Sequence, residues 1–152
     1  MASPLASPTG SELQALSNSR LAEAKVLFAN GLFDGAVYLA GYALELALKA
    51  RICKLLDADY PQGRSNFQSF LTHDYGTLIQ LAGLSSKLKQ RNLQADFATN
   101  WSLLVGGNAG EGWSETWRYR RIGSVTSATA EELINALEEP INGVLPWIHS
   151  LW

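Results

Sequence analysis

The chain has 152 residues, 47% of them hydrophobic and 17% charged, with twelve basic and fourteen acidic residues giving a net charge of −2. That suffices for one compact domain, with five Trp, five Tyr and five Phe to fill a core, and is too little for two. The charge balance excludes the broad positive field of a non-specific nucleic-acid coat protein, and a single cysteine, Cys53, excludes a disulfide within the chain.

Residues 1–10 carry no basic stretch and no apolar run, so they read as a disordered lead rather than a secretory signal, and the protein as cytoplasmic. Residues 11–152 read as one domain. From Ser11, Leu13, Leu16, Leu21, Ala24, Leu27 and Phe28 keep a helical period, with Glu12, Arg20, Glu23 and Lys25 on the wet face. Asn30-Gly31 stops this helix, and Asp34 is the expected N-cap of the next. The tight turn between them predicts an antiparallel helical hairpin.

The second helix runs from Phe33 to Leu56. Ala36, Ala40, Ala43, Ala47 and Ala50 recur at three- and four-residue spacing and let another helix approach closely. Its apolar stretch before Glu45 is about half the roughly 20 residues of a membrane span, so no membrane partner is expected. Glu45 and Lys49 stand at i, i+4 in the favourable order. On a helix that is apolar nearly all round they read as a structural polar pair. Cys53 reads as a small buried hydrophobe.

After a turn-rich segment, His73 and Asp74 are expected to cap a short third helix carrying Leu78, Ile79, Leu81 and Ala82. Ser85 or Ser86 opens a fourth, with an apolar stripe at Leu93, Phe97, Trp101 and Leu104. Its polar stripe, Asn92, Asp96 and Asn100, reads as a solvated face. Residues 105–128 lack clear periodicity, and stretches of that length are usually functional or mobile. Thr129-Ala130-Glu131-Glu132 reads as a capping box opening the last helix. Ile134, Leu137, Ile141, Val144, Leu145 and Ile148 stay in phase past Pro140, where a kink is expected. The fold class that follows is all-α, a single up-and-down bundle of four to five helices.

The aperiodic stretch has two parts. Residues 106–112 are glycine-rich and include Asn108, but no Gly-Lys-Ser or Gly-Lys-Thr follows and no strand precedes, so neither familiar phosphate loop fits. In the second part Arg118, Arg120 and Arg121 lie beside Trp113, Trp117 and Tyr119. Planar guanidinium groups clamp phosphate oxygens while aromatic faces stack on bases, so Arg118, Tyr119, Arg120, Arg121 and Trp117, with Asn108, form the candidate ligand site. The competing reading makes the tryptophans core anchors and pairs the arginines with acids. His73 and His149 have no His or Cys at ligand spacing, so neither a metal nor a cofactor is expected.

Residues 22–50, with Gly31-Leu32-Phe33-Asp34-Gly35-Ala36 at the turn and Ala43-Leu44-Glu45-Leu46-Ala47-Leu48-Lys49-Ala50 beyond it, resemble the HEPN domain. His73-Asp74-Tyr75 with Leu78, Trp117-Arg118-Tyr119 and the closing helix from Ala130 to Trp147-Ile148 agree with it. The resemblance implies an all-α bundle, often a homodimer, in prokaryotic toxin–antitoxin and defence systems beside a small nucleotidyltransferase. It also implies, for active members, a metal-independent RNase whose motif is an arginine, four to six intervening residues and a histidine.

This sequence departs from that motif. From Arg118 the permitted positions hold Gly123, Ser124 and Val125; from Arg120, Val125, Thr126 and Ser127; from Arg121, Thr126, Ser127 and Ala128. Arg64 lies too far before His73. Cleavage through a 2′-hydroxyl needs a group that exchanges a proton near neutral pH, which arginine cannot do. The expectation is therefore a non-catalytic domain binding a nucleotide, RNA or partner protein. Two alternatives stand beside it. One is an RNase with an atypical set, Tyr119 or His73 oriented by Glu45 or Asp96; the other is a helical dimer acting purely in protein interaction.

Overall fold

The computed structural model describes residues 7–61, 69–106 and 112–152. Among them are seven α-helices and no strand: α1 (Gly10–Ala29), α2 (Phe33–Leu56), α3 (Tyr75–Leu81), α4 (Ser85–Arg91), α5 (Ala95–Val105), α6 (Ser127–Glu138) and α7 (Val144–His149), with a 3₁₀ helix at Glu115–Tyr119 before α6. The all-α expectation holds, and the hairpin of α1 on α2 is its frame.

A capping box that the sequence reading missed opens α1. Thr9 Oγ1 accepts from the Glu12 amide at 3.1 Å, and Glu12 Oε2 accepts from the Thr9 amide at 2.8 Å. Pro8 is drawn in as well, its carbonyl accepting from the Tyr60 amide at 2.9 Å, so Pro8, Thr9 and Gly10 belong to the fold rather than to the expected lead. Gly31, at φ +75°, makes the turn into α2. The alanine stripe of α2 is fully buried, and Ser17 of α1 donates to the Ala43 carbonyl at 2.6 Å across the close approach. Helices α6 and α7 cover α2 further along, and Lys25 ties α1 to α6 through Glu138 at 3.0 Å.

Several local expectations are corrected. Leu32, with no side-chain bond, is the N-cap of α2; the Asp34 carboxylate reaches across the fold instead, accepting from the Gly123 and Val125 amides at 2.6 and 3.0 Å. The expected fourth helix is two, opening at Leu84 without a serine cap and broken at residues 92–94, which leaves Leu93 84% exposed and outside the stripe. Its polar stripe is only partly solvated: Asn100 donates to the Asn142 carbonyl at 2.9 Å, and Asn92 is half-buried with its Oδ1 enclosed.

The cap of α6 is Thr126, whose hydroxyl accepts from the Thr129 amide, rather than Thr129 itself. Pro140 ends that helix instead of kinking it, because the residue before a proline is pushed out of the helical region, and Glu139 sits at ψ 128°. The return into α7 requires Gly143, since a Cβ there would lie 2.3 Å from the Glu139 carbonyl oxygen.

His149, at the end of α7, lies against Trp152 with ring centroids 4.1 Å apart, and its Nε2 is buried without a partner among the described residues. Burial holds its pKa below the ordinary 6.5. The unfolded chain therefore takes up the proton first. Stability is full above about pH 6.5 and declines as pH falls towards the folded value. His149→Phe should remove part of the difference in urea midpoint between about pH 7.5 and pH 5; an unchanged difference would contradict this assignment.

Candidate functional site

Tyr38, Tyr42, Glu45 and Lys49 succeed one another at spacings of four, three and four, which places them on one face of α2. This is a polar stripe along the middle of a largely apolar helix. The segment before α3 and the segment around the 3₁₀ helix close over it.

Glu45 is the centre. It is 2% exposed, its Oε2 accepting from Lys49 Nζ at 3.1 Å and its Oε1 from His73 Nδ1 at 2.7 Å. The polar pair expected at Glu45 and Lys49 is thus a triad, and His73 spends its ring nitrogen on Glu45 rather than on the end of α3. Asp74 does cap that helix, accepting from the Thr77 amide and hydroxyl at 2.8 Å each. A histidine that donates from Nδ1 to a carboxylate keeps its ring fixed and its Nε2 available. The His73 side chain is 43% exposed.

Around the triad stands an aromatic wall. Tyr75 stacks on Trp113 at 5.5 Å and donates its hydroxyl to the Gly41 carbonyl at 2.7 Å; Tyr42 meets Trp113 edge-on at 5.2 Å and His73 at 6.0 Å. Lys49 Nζ lies 5.2 Å over the ring of Tyr60. Burial above all, with the hydrogen bond to Tyr38 and the charge of Glu45 adding to it, holds the Tyr42 phenol above its ordinary range. Burial followed by the charge of Glu45 does the same at Tyr60 and Tyr75. These hydroxyls stay protonated, so they act as donors and not as bases.

Arg118 begins the outer edge. It is exposed, its guanidinium lies 4.8 Å from the ring of Tyr119, and its interactions with the Tyr119 and Tyr38 phenols hold it firmly charged. Arg120 stacks on Trp117 at 3.8 Å; Tyr119 is 76% exposed and Arg121 is exposed. Of the two tryptophans, Trp113 is a core anchor, as the competing reading had it, while Trp117 is half-buried beneath Arg120. Asn108 lies outside the described residues.

A cleft of about 540 Å³ opens beside the triad, lined among others by Thr72, His73, Asp74, Tyr75, Trp113 and Glu115. Its two carboxylates repel phosphate, whereas the Arg118 to Arg121 edge attracts it. Among the described residues no three His, Cys, Asp or Glu side chains stand together as a metal site, and no helix is long and apolar enough to cross a membrane. Tyr38, Tyr42 and Tyr75 are members of the site that sequence reasoning missed. The signal was available for the first two, which continue the Glu45/Lys49 register backwards along α2.

The model of the HEPN domain family matches residues 13–145. Neither a curated protein nor a solved structure matches the chain.

Proposed function

Because the chain belongs to the HEPN domain family, we propose that it is a cytoplasmic, non-catalytic domain that binds RNA or a nucleotide through the Arg118 to Arg121 edge. The observation that carries the reading is the laying of two guanidinium groups on neighbouring rings, Arg118 on Tyr119 and Arg120 on Trp117, at an exposed rim. Guanidinium planes receive phosphate oxygens in pairs, and rings and guanidinium planes together offer surfaces for bases to stack on. The family implies the rest of the setting: a homodimer, a nucleotidyltransferase-like partner, and a prokaryotic toxin–antitoxin or defence role. For the homodimer there is support in an apolar groove between α1 and α2, where Val26 and Leu39 are among the lining residues.

Anisotropy titration of labelled single-stranded RNA, ATP and GTP tests the binding. Arg118→Ala should weaken it about tenfold, the loss expected of one charge-assisted contact. An unchanged affinity, or no binding by the wild type, would remove the reading. One observation favours the second reading, an RNase with an atypical set: the 2.7 Å bond that fixes His73 on Glu45. The same mixtures run on a gel distinguish the two, since RNA cleavage that disappears in His73→Ala would replace the non-catalytic domain with an enzyme.

A further inference from the structure

The sequence between Asp74 and Asp96 holds three basic residues, Lys87, Lys89 and Arg91, and no acid, in a chain whose overall charge is negative. Helix α4 carries all three and buries none of its residues. Lys87, Gln90 and Arg91 stand at spacings of three and one, so they share one face of α4, and Gln94 follows beyond the break, at the start of α5. With Trp147 of α7 they line a groove of about 410 Å³ in which no carboxylate takes part.

The floor of the groove is braced. Arg91 lies 4.5 Å over Phe97, donates to the Ile141 carbonyl at 2.8 Å and to Gln94 Oε1 at 2.6 Å. Fixing the Gln94 oxygen leaves its NH₂ group to point away as a donor. Trp147 is held edge-on against Phe97 at 5.4 Å. Asp96, two residues past Gln94 in the first turn of α5, is the acid nearest in sequence and is not among the lining residues, and Glu139, eight residues before Trp147, spends its carboxylate on the Ile141 and Asn142 amides. Lys87 makes no ion pair among the described residues.

We propose that this groove is a second contact surface for single-stranded RNA, with Lys87 meeting a phosphate, Gln90 and Gln94 meeting base edges and Trp147 offering a stacking face. An ammonium, two amides and an indole with no opposing carboxylate complement a phosphodiester strand. The proposal rests on the RNA-binding reading above and gives it a second footing. The groove adjoins the start of α5, and Trp113, which donates its amide to the Leu104 carbonyl at 2.8 Å, adjoins its end. Eleven residues of helix separate them, about 16 Å.

The test is anisotropy of the full chain with a labelled RNA of about 20 nucleotides, long enough at roughly 3.4 Å per stacked nucleotide to reach both ends of α5. Lys87→Gln and Lys89→Gln remove the same charge from the same exposed helix, but only Lys87 faces the groove. Lys87→Gln should weaken binding about fivefold and lower the slope of log K against log salt by about 0.7, with Lys89→Gln within about twofold of wild type. Gln90→Ala should weaken binding without changing the slope. Equal losses from the two lysines would mean a diffuse field and overturn the groove. So would displacement of the RNA by polyglutamate at matched charge, which would mark an acidic protein segment as the occupant. If Arg118→Ala weakens binding while Lys87→Gln does not, the groove fails and the first reading stands; if wild type binds no RNA, both fail.

Discussion

Gly41→Ala destabilises the protein by about 3 kcal/mol, although the substitution places a better helix former inside α2. Propensity alone predicts a gain of roughly 0.5–1 kcal/mol. Sterics decide the sign, because a Cβ at Gly41 would stand 2.0 Å from Cε2 and 2.1 Å from Nε1 of Trp113, far inside the 3.5–4.0 Å of a favourable carbon contact. The indole has nowhere to retreat: it is stacked on Tyr75, met edge-on by Tyr42 and fixed by its own backbone bond to Leu104. Thermal unfolding followed by circular dichroism should show a fall of about 6–12 °C for a domain of this size. Trp113→Leu in the same chain should restore much of the loss, and a double-mutant cycle reads the coupling directly. A Gly41→Ala protein as stable as wild type would show that Trp113 does not pack here.

Glu45→Ala is the second large effect, also about 3 kcal/mol. Removing one member of a buried ionic group leaves the others uncompensated, which typically costs about 3–5 kcal/mol. The lower end applies because His73, at 43% exposure, can rehydrate, whereas Lys49, at 15%, has little water to turn to. Glu45→Gln keeps the shape and one acceptor oxygen and should cost less. Removing Lys49 at the same time, as Glu45→Leu with Lys49→Met, should recover part of the loss, since an apolar pair of similar volume often replaces a buried ion pair without penalty. Chemical denaturation of the single and double variants checks both statements; a Glu45→Ala protein with the wild-type urea midpoint would mean that the carboxylate is solvated.

The long helices were legible because their periodicity is carried by many residues: the five-alanine stripe of α2 and the Asn30-Gly31 stop needed no tertiary information. Boundaries set by single groups were not. Asp34 has the chemistry of an N-cap, yet its carboxylate finds two backbone amides some 90 residues away, a partner no local pattern announces. Leu93 keeps the helical phase of its neighbours, and the chain nonetheless breaks beside it, leaving it in solvent. The site divides in the same way. The arginine and aromatic cluster is contiguous in sequence and is legible there as a candidate. The bond from His73 to Glu45 joins residues 28 apart and appears only when the segment before α3 folds over α2.

The two Asp34 bonds have a consequence for how the arginine edge meets another molecule. The span that carries Arg118, Arg120 and Arg121 is an arch with both footings in one stone: Trp113 wedged on α2 at one side, Gly123 and Val125 tethered to the start of the same helix at the other. Its conformational freedom is surrendered during folding, so under the proposed function a ligand would meet a shape already set, with little ordering entropy left to lose.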